Sequence, residues 1–113
     1  MSLRKLGTSE IYVSSVSMGC WPIAGITTLH ATRDESLKTL RAALKCGINF
    51  LDTAYAYGVD GESEQMIGEV IADCRSSVVV ATKGGIHRVG RGQDYDGRPE
   101  TLRRECEESL QRL

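Results

Sequence analysis

Three short apolar runs, each followed by a stretch of helical periodicity, constrain this chain more than any other feature of its sequence. The runs are "VSSVSMGCW", "INFLDTA" and "SSVVVATKGG". A continuous apolar run ending in polar residues reads as a strand buried on both faces. Strands alternating with amphipathic helices imply right-handed βαβ units and a parallel sheet. The first helix is expected after Thr32, whose spacing from Glu35 fits a capping box, with Leu37, Leu40, Ala43 and Leu44 on one stripe and Gly47 at its end. The second places Met66, Ile67, Val70, Ile71 and Cys74 at helical spacing, with Glu62 and Glu64 where the helix dipole favours negative charge. The third starts at Pro99 and carries Leu102, Cys106, Leu110 and Leu113 on one side. Ahead of them, "LRKLG" and "IYVSS" read as a β-hairpin that bends at Gly7, and "IHRVGRGQDYDGR" reads as a long charged loop.

Such an order closes either as an open doubly wound sheet or as part of a (β/α)₈ barrel. The GxGxxG fingerprint of a dinucleotide-binding Rossmann unit is absent after the first parallel strand, where "SMGCWPIAG" stands. A leading hairpin suits a plug across the bottom of a barrel. The expected fold is therefore α/β: an N-terminal β-hairpin plus three βα units of a (β/α)₈ TIM barrel. It is an incomplete barrel, because the closed form needs about 250 residues and this chain has 113, read as one partial domain over 1–113.

A formal net charge of -1 gives no electrostatic footprint for nucleic acid or an anionic membrane. No run approaches the roughly 20 apolar residues of a membrane span, and "MSLRKLGTSE" lacks a signal-peptide core, so the cytoplasm is the expected compartment. Cys20, Cys46, Cys74 and Cys106 are widely spaced with no CxxC pair, so no metal site is expected. Cys46, Cys74 and Cys106 fall in helical patterns and are expected as buried, reduced thiols.

Neighbouring strands of a parallel barrel end on the same face, and those ends carry the chemistry. Asp52 ends the second parallel strand and Lys83 the third, so the two are expected side by side despite their separation in sequence. Tyr57, in the loop after Asp52, can fold back over the same rim. The trio suits carbonyl reduction, because hydride arriving at a carbonyl carbon leaves an alkoxide that must be protonated. A phenol with an ordinary pKa near 10 is a poor donor at neutral pH. A neighbouring ammonium favours its phenolate, and a carboxylate keeps that ammonium charged and oriented.

"INFLDTAYAYGVDGESEQMIGEVI" resembles the aldo-keto reductase signature, with Asp52, Thr53, Ala54, Tyr57, Gly58, Ser63, Glu64 and Gly68 matching it. "VVVATKGG" resembles the family's third strand, "LGTSEIYVSSVSMGCW" its opening hairpin and first strand, and "RPETLRRECEESLQRL" its third helix. The resemblance implies NADPH-dependent reduction of a small-molecule aldehyde or ketone, with Asp52, Tyr57 and Lys83 catalytic. It implies that Gly19, Cys20 and Trp21, with Asp52, lie at the nicotinamide. Tyr57 rather than Tyr55 has the family's spacing from Asp52. The family also uses a histidine at the end of its fourth strand, which would follow Leu113; His30 and His87, in loops after the first and third strands, are misplaced for that role. Most of the family's grips on NADPH belong to the second half of the barrel.

Blander readings stand beside these. His87, Arg88 and Arg91 are expected as a solvated loop rather than as a phosphate or substrate contact, and Ser63 and Glu64 as helix-start residues rather than ligands. Trp21 reads equally as rim packing or as a wall against substrate. A half barrel would leave the former interior face, around Phe50 and Val79, open to self-association. The alternative function is that of an inactive fragment, or of a regulatory binding module.

Overall fold

Leu3–Lys5 (β1) and Tyr12–Ser14 (β2) pair antiparallel, Leu3 opposite Ser14, around a turn in which Gly7 takes the expected left-handed φ of 59°. In this computed structural model, residues 1–25, 31–89 and 92–113 are described, Arg88 by its backbone only. The expectations for His30 and Arg91 fall outside them.

Three strands, Met18–Gly19 (β3), Phe50–Asp52 (β4) and Val79–Ala81 (β5), form a parallel sheet in the order β3-β4-β5. The register sets Gly19 beside Asp52 and Asp52 beside Ala81. Helix α1 (Arg33–Lys45) begins with the expected capping box between Thr32 and Glu35. It ends in paired bonds from Gly47 N–H to the Leu44 carbonyl (2.9 Å) and from Ile48 N–H to the Ala43 carbonyl (3.1 Å), for which Gly47 adopts a φ of 84°. Helix α2 (Glu62–Ile71) runs into a 3-10 turn over Ala72–Ser77, and α3 (Pro99–Arg112) opens on proline as expected.

Leu51 sits under α1 and α2 and packs with Leu37, Leu40, Met66, Ile67 and Ile71 in the buried core. Because side chains alternate along a strand, Phe50 and Asp52 turn to the opposite face with Val79 and Ala81, where all four are half-buried. This is the open face the sequence implies. No described helix is long and apolar enough to cross a membrane.

Three expectations need correction. The stretch after Lys83 is an antiparallel hairpin rather than a loop: Ile86–Val89 (β6) pairs with Gly92–Tyr95 (β7), and Asp96 N–H closes its base on the Gly85 carbonyl at 3.0 Å. Helix α3 buries Thr101, Glu105 and Ser109, leaving Leu102, Cys106 and Leu110 exposed. It docks by polar contacts, so the apolar stripe is the side turned away, and of that stripe only Leu113 packs against the core. The cysteines divide differently as well. Cys46 and Cys106 are exposed and Cys74 is half-buried, while Cys20 lies in the core; all four are free thiols.

Candidate active site

Backbone pairing between β4 and β5 continues past the strand ends, through Thr53 N–H to the Ala81 carbonyl (2.8 Å) and Tyr55 N–H to the Lys83 carbonyl (2.9 Å). Lys83 therefore shares the face of Ala81 and Asp52. Its Nζ donates to Asp52 Oδ1 at 2.6 Å and to the Thr53 carbonyl at 2.7 Å. Tyr57 is returned to the same rim by a turn, Tyr57 N–H to the Ala54 carbonyl at 3.0 Å, and its own carbonyl accepts from Ser63 N–H at 3.1 Å. The Lys83 ammonium stands 5.3 Å from the centroid of the Tyr57 ring. Trp21 meets that ring edge-on, with centroids 4.9 Å apart. The structure thus brings together Asp52, Tyr57, Lys83 and Trp21.

Partial burial works against the charge on Lys83, but the Asp52 carboxylate and the neighbouring Tyr57 phenol outweigh it and hold the ammonium's pKa above the ordinary lysine value. Lys83 is thus a fixed cation throughout the neutral range. Trp21, Tyr57, Lys83, Ile86 and Gln93 border a small pocket of about 100 Å³, with Ala54 and Ala56 keeping its floor clear.

Of the segment Gly19-Cys20-Trp21, Gly19 leaves open space: among the described residues, its two chain neighbours aside, no atom lies within 4 Å of where its Cβ would stand. That clearance beside Asp52 and Trp21 fits the flat end of a nicotinamide. Cys20 points the other way. Its thiol is buried in the core, and its N–H is spent on the Asp52 carbonyl at 2.8 Å. Burial first, then the nearby Asp52 charge, pushes the thiol's pKa up to about 12. Cys20 serves the rim as scaffold. Among the described residues, no group of three or more His, Cys, Asp or Glu side chains could hold a metal ion.

Sequence reasoning missed the polar layer beneath the rim. Ser63 Oγ lies 2.8 Å from Thr53 Oγ1 and donates to the Cys20 carbonyl at 3.1 Å, which ties the ends of β3 and β4 together. Both Ser63 and Glu64 are completely buried, so they do more than begin a helix. Glu64 accepts from Thr82 Oγ1 at 2.6 Å and from Arg112 at 3.0 Å. His87 is not a solvated loop residue: its Nε2 lies 2.9 Å from Oε1 of the buried Glu105, whose Oε2 accepts from Gly85 N–H at 2.6 Å. Among the described residues no other polar group meets that Oε1, so the contact acts as a charge pairing when His87 is protonated rather than as a well-aligned hydrogen bond. Tyr55 faces away from Tyr57 and donates to Glu108 at 2.6 Å. The available signal was a set of polar residues at core-facing helical positions.

A profile of the Aldo/keto reductase family matches residues 15–113. The chain is 39% identical, over 99% of its length, to a 6-dehydroglucose reductase of Novosphingobium aromaticivorans, of which it spans 38%. It is 37% identical, over 96% of its length, to an NADH-specific methylglyoxal reductase of Escherichia coli, spanning 37% of that protein. An aldo-keto reductase from Bacillus halodurans superimposes with a TM-score of 0.85 at 30% identity, covering 100% of this chain and 36% of that one. The chain therefore corresponds to somewhat more than a third of its relatives' length. These matches run along nearly its whole sequence and its fold is the matching part of their barrel, so the chain belongs to the aldo/keto reductase family of nicotinamide-dependent oxidoreductases.

Proposed function

We propose that this rim serves NADPH-dependent reduction of an aldehyde or ketone to an alcohol, with Tyr57 as proton donor. The observation that carries the reading is the 2.6 Å contact between Lys83 Nζ and Asp52 Oδ1, with the same ammonium lying against the Tyr57 ring. A bound nicotinamide supplies hydride to the carbonyl carbon. The remaining work belongs to residues of this chain. Gly19, Trp21 and Asp52, with Cys20 as their scaffold, would hold the nicotinamide end. The Tyr57 hydroxyl gives its proton to the oxygen as negative charge develops there. Lys83 offsets the negative charge left on Tyr57, and Asp52 with the Thr53 carbonyl fixes Lys83 in place. Trp21 and Ile86 shield the reacting carbon from water.

Support for this reading comes from family membership and from the geometry of the three side chains. The relative from Escherichia coli is named for NADH, so the preference for NADPH rests on the family resemblance. The free cysteines agree with a cytoplasmic setting. The test follows the loss of NADPH or NADH absorbance with a reactive aldehyde in a protein that carries this rim within a closed barrel. Tyr57→Phe is expected to lower kcat by about 100-fold or more. A Tyr57→Phe protein with undiminished turnover would remove the phenol from the mechanism.

A further inference from the structure

We propose that the β6–β7 hairpin completes the substrate pocket, and that Gln93 selects carbonyl compounds bearing an oxygen on the carbon next to the carbonyl over their aliphatic isosteres. The proposal rests on the carbonyl-reducing reading of the rim and names its substrate class. Three features carry it: where the hairpin lies, how it is fixed, and what it presents.

The hairpin contributes Ile86 and Gln93 to the pocket of about 100 Å³ that also holds Tyr57, Lys83 and Trp21. Its base is tied down from three directions. Asp96 N–H meets the Gly85 carbonyl at 3.0 Å, Glu105 takes Gly85 N–H at 2.6 Å, and the Asp96 carboxylate receives Thr101 Oγ1 at 2.7 Å and Arg98 Nη2 at 2.6 Å. Gly84 contributes to this fixing by having no side chain, since a Cβ there would stand 2.8 Å from Glu105 Oε2. The wall therefore has a defined position relative to Lys83, three residues before the hairpin begins.

The lining is apolar along its sides, with Trp21, Ile86, Ala54 and Ala56, and polar at two places. One is the Tyr57–Lys83 pair, where a carbonyl oxygen belongs. The other is the Gln93 amide. Its Oε1 is engaged by the Tyr95 hydroxyl at a long 3.4 Å, and among the described residues nothing takes the Nε2 protons, which are left for an incoming oxygen. A ligand with its carbonyl at Tyr57 in so small a space brings its neighbouring carbon toward Gln93. A hydroxyl or second carbonyl there accepts from Nε2, whereas a methyl strips water from the amide and returns nothing. Gln93 keeps contact with solvent, so the discrimination is that of one ordinary neutral hydrogen bond, roughly three- to tenfold in affinity.

Hydroxyacetone and 2-butanone differ by a hydroxyl in place of a methyl and need no cofactor to bind. Each is titrated into a 15N-labelled protein that carries this rim within a closed barrel and followed by amide chemical shifts, in the wild type, Gln93→Leu and Tyr57→Phe. The expected result is three- to tenfold tighter binding of hydroxyacetone. Gln93→Leu abolishes the preference, and Tyr57→Phe weakens both ketones while preserving it. Gln93 is exposed on a strand, so its replacement leaves the fold intact. A preference that survives Gln93→Leu, with both ketones still weakened by Tyr57→Phe, overturns the role of Gln93 and leaves the carbonyl site standing. Indifference of both ketones to Tyr57→Phe overturns the site itself. If neither ketone binds, the hairpin proposal falls, and the NADPH assay of Tyr57→Phe judges the reduction reading independently.

Discussion

Arg112, in the last turn of α3, donates from Nη1 to Glu64 Oε2 at 3.0 Å, and that carboxylate has no exposure to solvent. The guanidinium also lies over the Tyr55 ring, 4.7 Å from its centroid, and 3.7 Å from Glu108. Burial alone would disfavour its charge, but Glu64 and then Tyr55 raise its pKa above the usual arginine value, so it stays protonated at every accessible pH. Removing it strands a buried carboxylate that, among the described residues, retains only Thr82. Arg112→Met is expected to cost about 3 kcal/mol or more in chemical denaturation. A loss below about 1 kcal/mol would mean that water reaches Glu64 and the pair is not structural.

Gly68 on α2 belongs to the same arrangement. In most helix interiors Gly→Ala stabilises by about 1 kcal/mol. Here the new methyl would collide with the Arg112 carbonyl oxygen. Gly68→Ala is therefore expected to destabilise, by pushing away the turn that carries Arg112. Added to Arg112→Met it should cost clearly less than the sum of the two single changes, because both break one contact. Additive losses in a double-mutant cycle would separate the glycine from the ion pair.

The barrel architecture was legible because its signals are local. Thr32 and Glu35 cap a helix wherever they stand, Gly47 ends it, and "INFLDTA" reads as a strand from its own residues. The convergence of Asp52, Lys83 and Tyr57 was legible too, since parallel strands place their C-terminal ends together. The hairpin after Lys83 was not, because "IHRVGRGQDYDGR" is polar and rich in glycine, and its strands are defined by pairing with each other rather than by burial. The face of α3 failed for a related reason. Apolar periodicity points to whichever surface the whole fold covers, whereas here Glu105 faces inward to meet the Gly85 N–H and His87, and Thr101 and Ser109 are buried beside it. A buried polar network leaves no apolar periodicity, only polar residues such as Thr101, Glu105 and Ser109 at helical spacing.

The four thiols should separate by reactivity. Thiolate is the nucleophile, so a thiol raised to about 12 and fully buried stays silent at mildly alkaline pH. Iodoacetamide at pH 8 is expected to label Cys46 and Cys106 first, Cys74 slowly and Cys20 only after denaturation, as read by peptide mass spectrometry. Early labelling of Cys20 would show that the β3 end opens in solution.

Asp96 gives the pH dependence. The Arg98 side chain first, then Thr101, holds its carboxyl well below the ordinary aspartate range. A folded-state pKa lower than the unfolded one contributes stability that is present above the unfolded value, about 3.9, and is lost as pH falls through the folded value. The difference in Tm between wild type and Asp96→Asn should therefore be constant between about pH 5 and 7 and shrink below about pH 4. A difference that grows on acidification would reverse the sign and exclude this carboxylate as its source.

Among the described residues strand β5 pairs only with β4, and the half-buried Phe50 and Val79 share the face opposite the helices. We propose that the isolated 113-residue chain covers this face with a second copy of itself, since an unpaired strand edge beside an apolar surface is a template for association. Static light scattering should give a mass above 12.4 kDa that rises with concentration. Val79→Lys, placing a charge on that face, should return it toward the monomer. The same isolated chain is expected to show no turnover of NADPH with aldehydes, because its three parallel strands do not close a barrel around the rim. A concentration-independent monomer with a cooperative melt would show that the face needs no cover, and NADPH oxidation abolished by Tyr57→Phe would show that the rim works without the closed barrel.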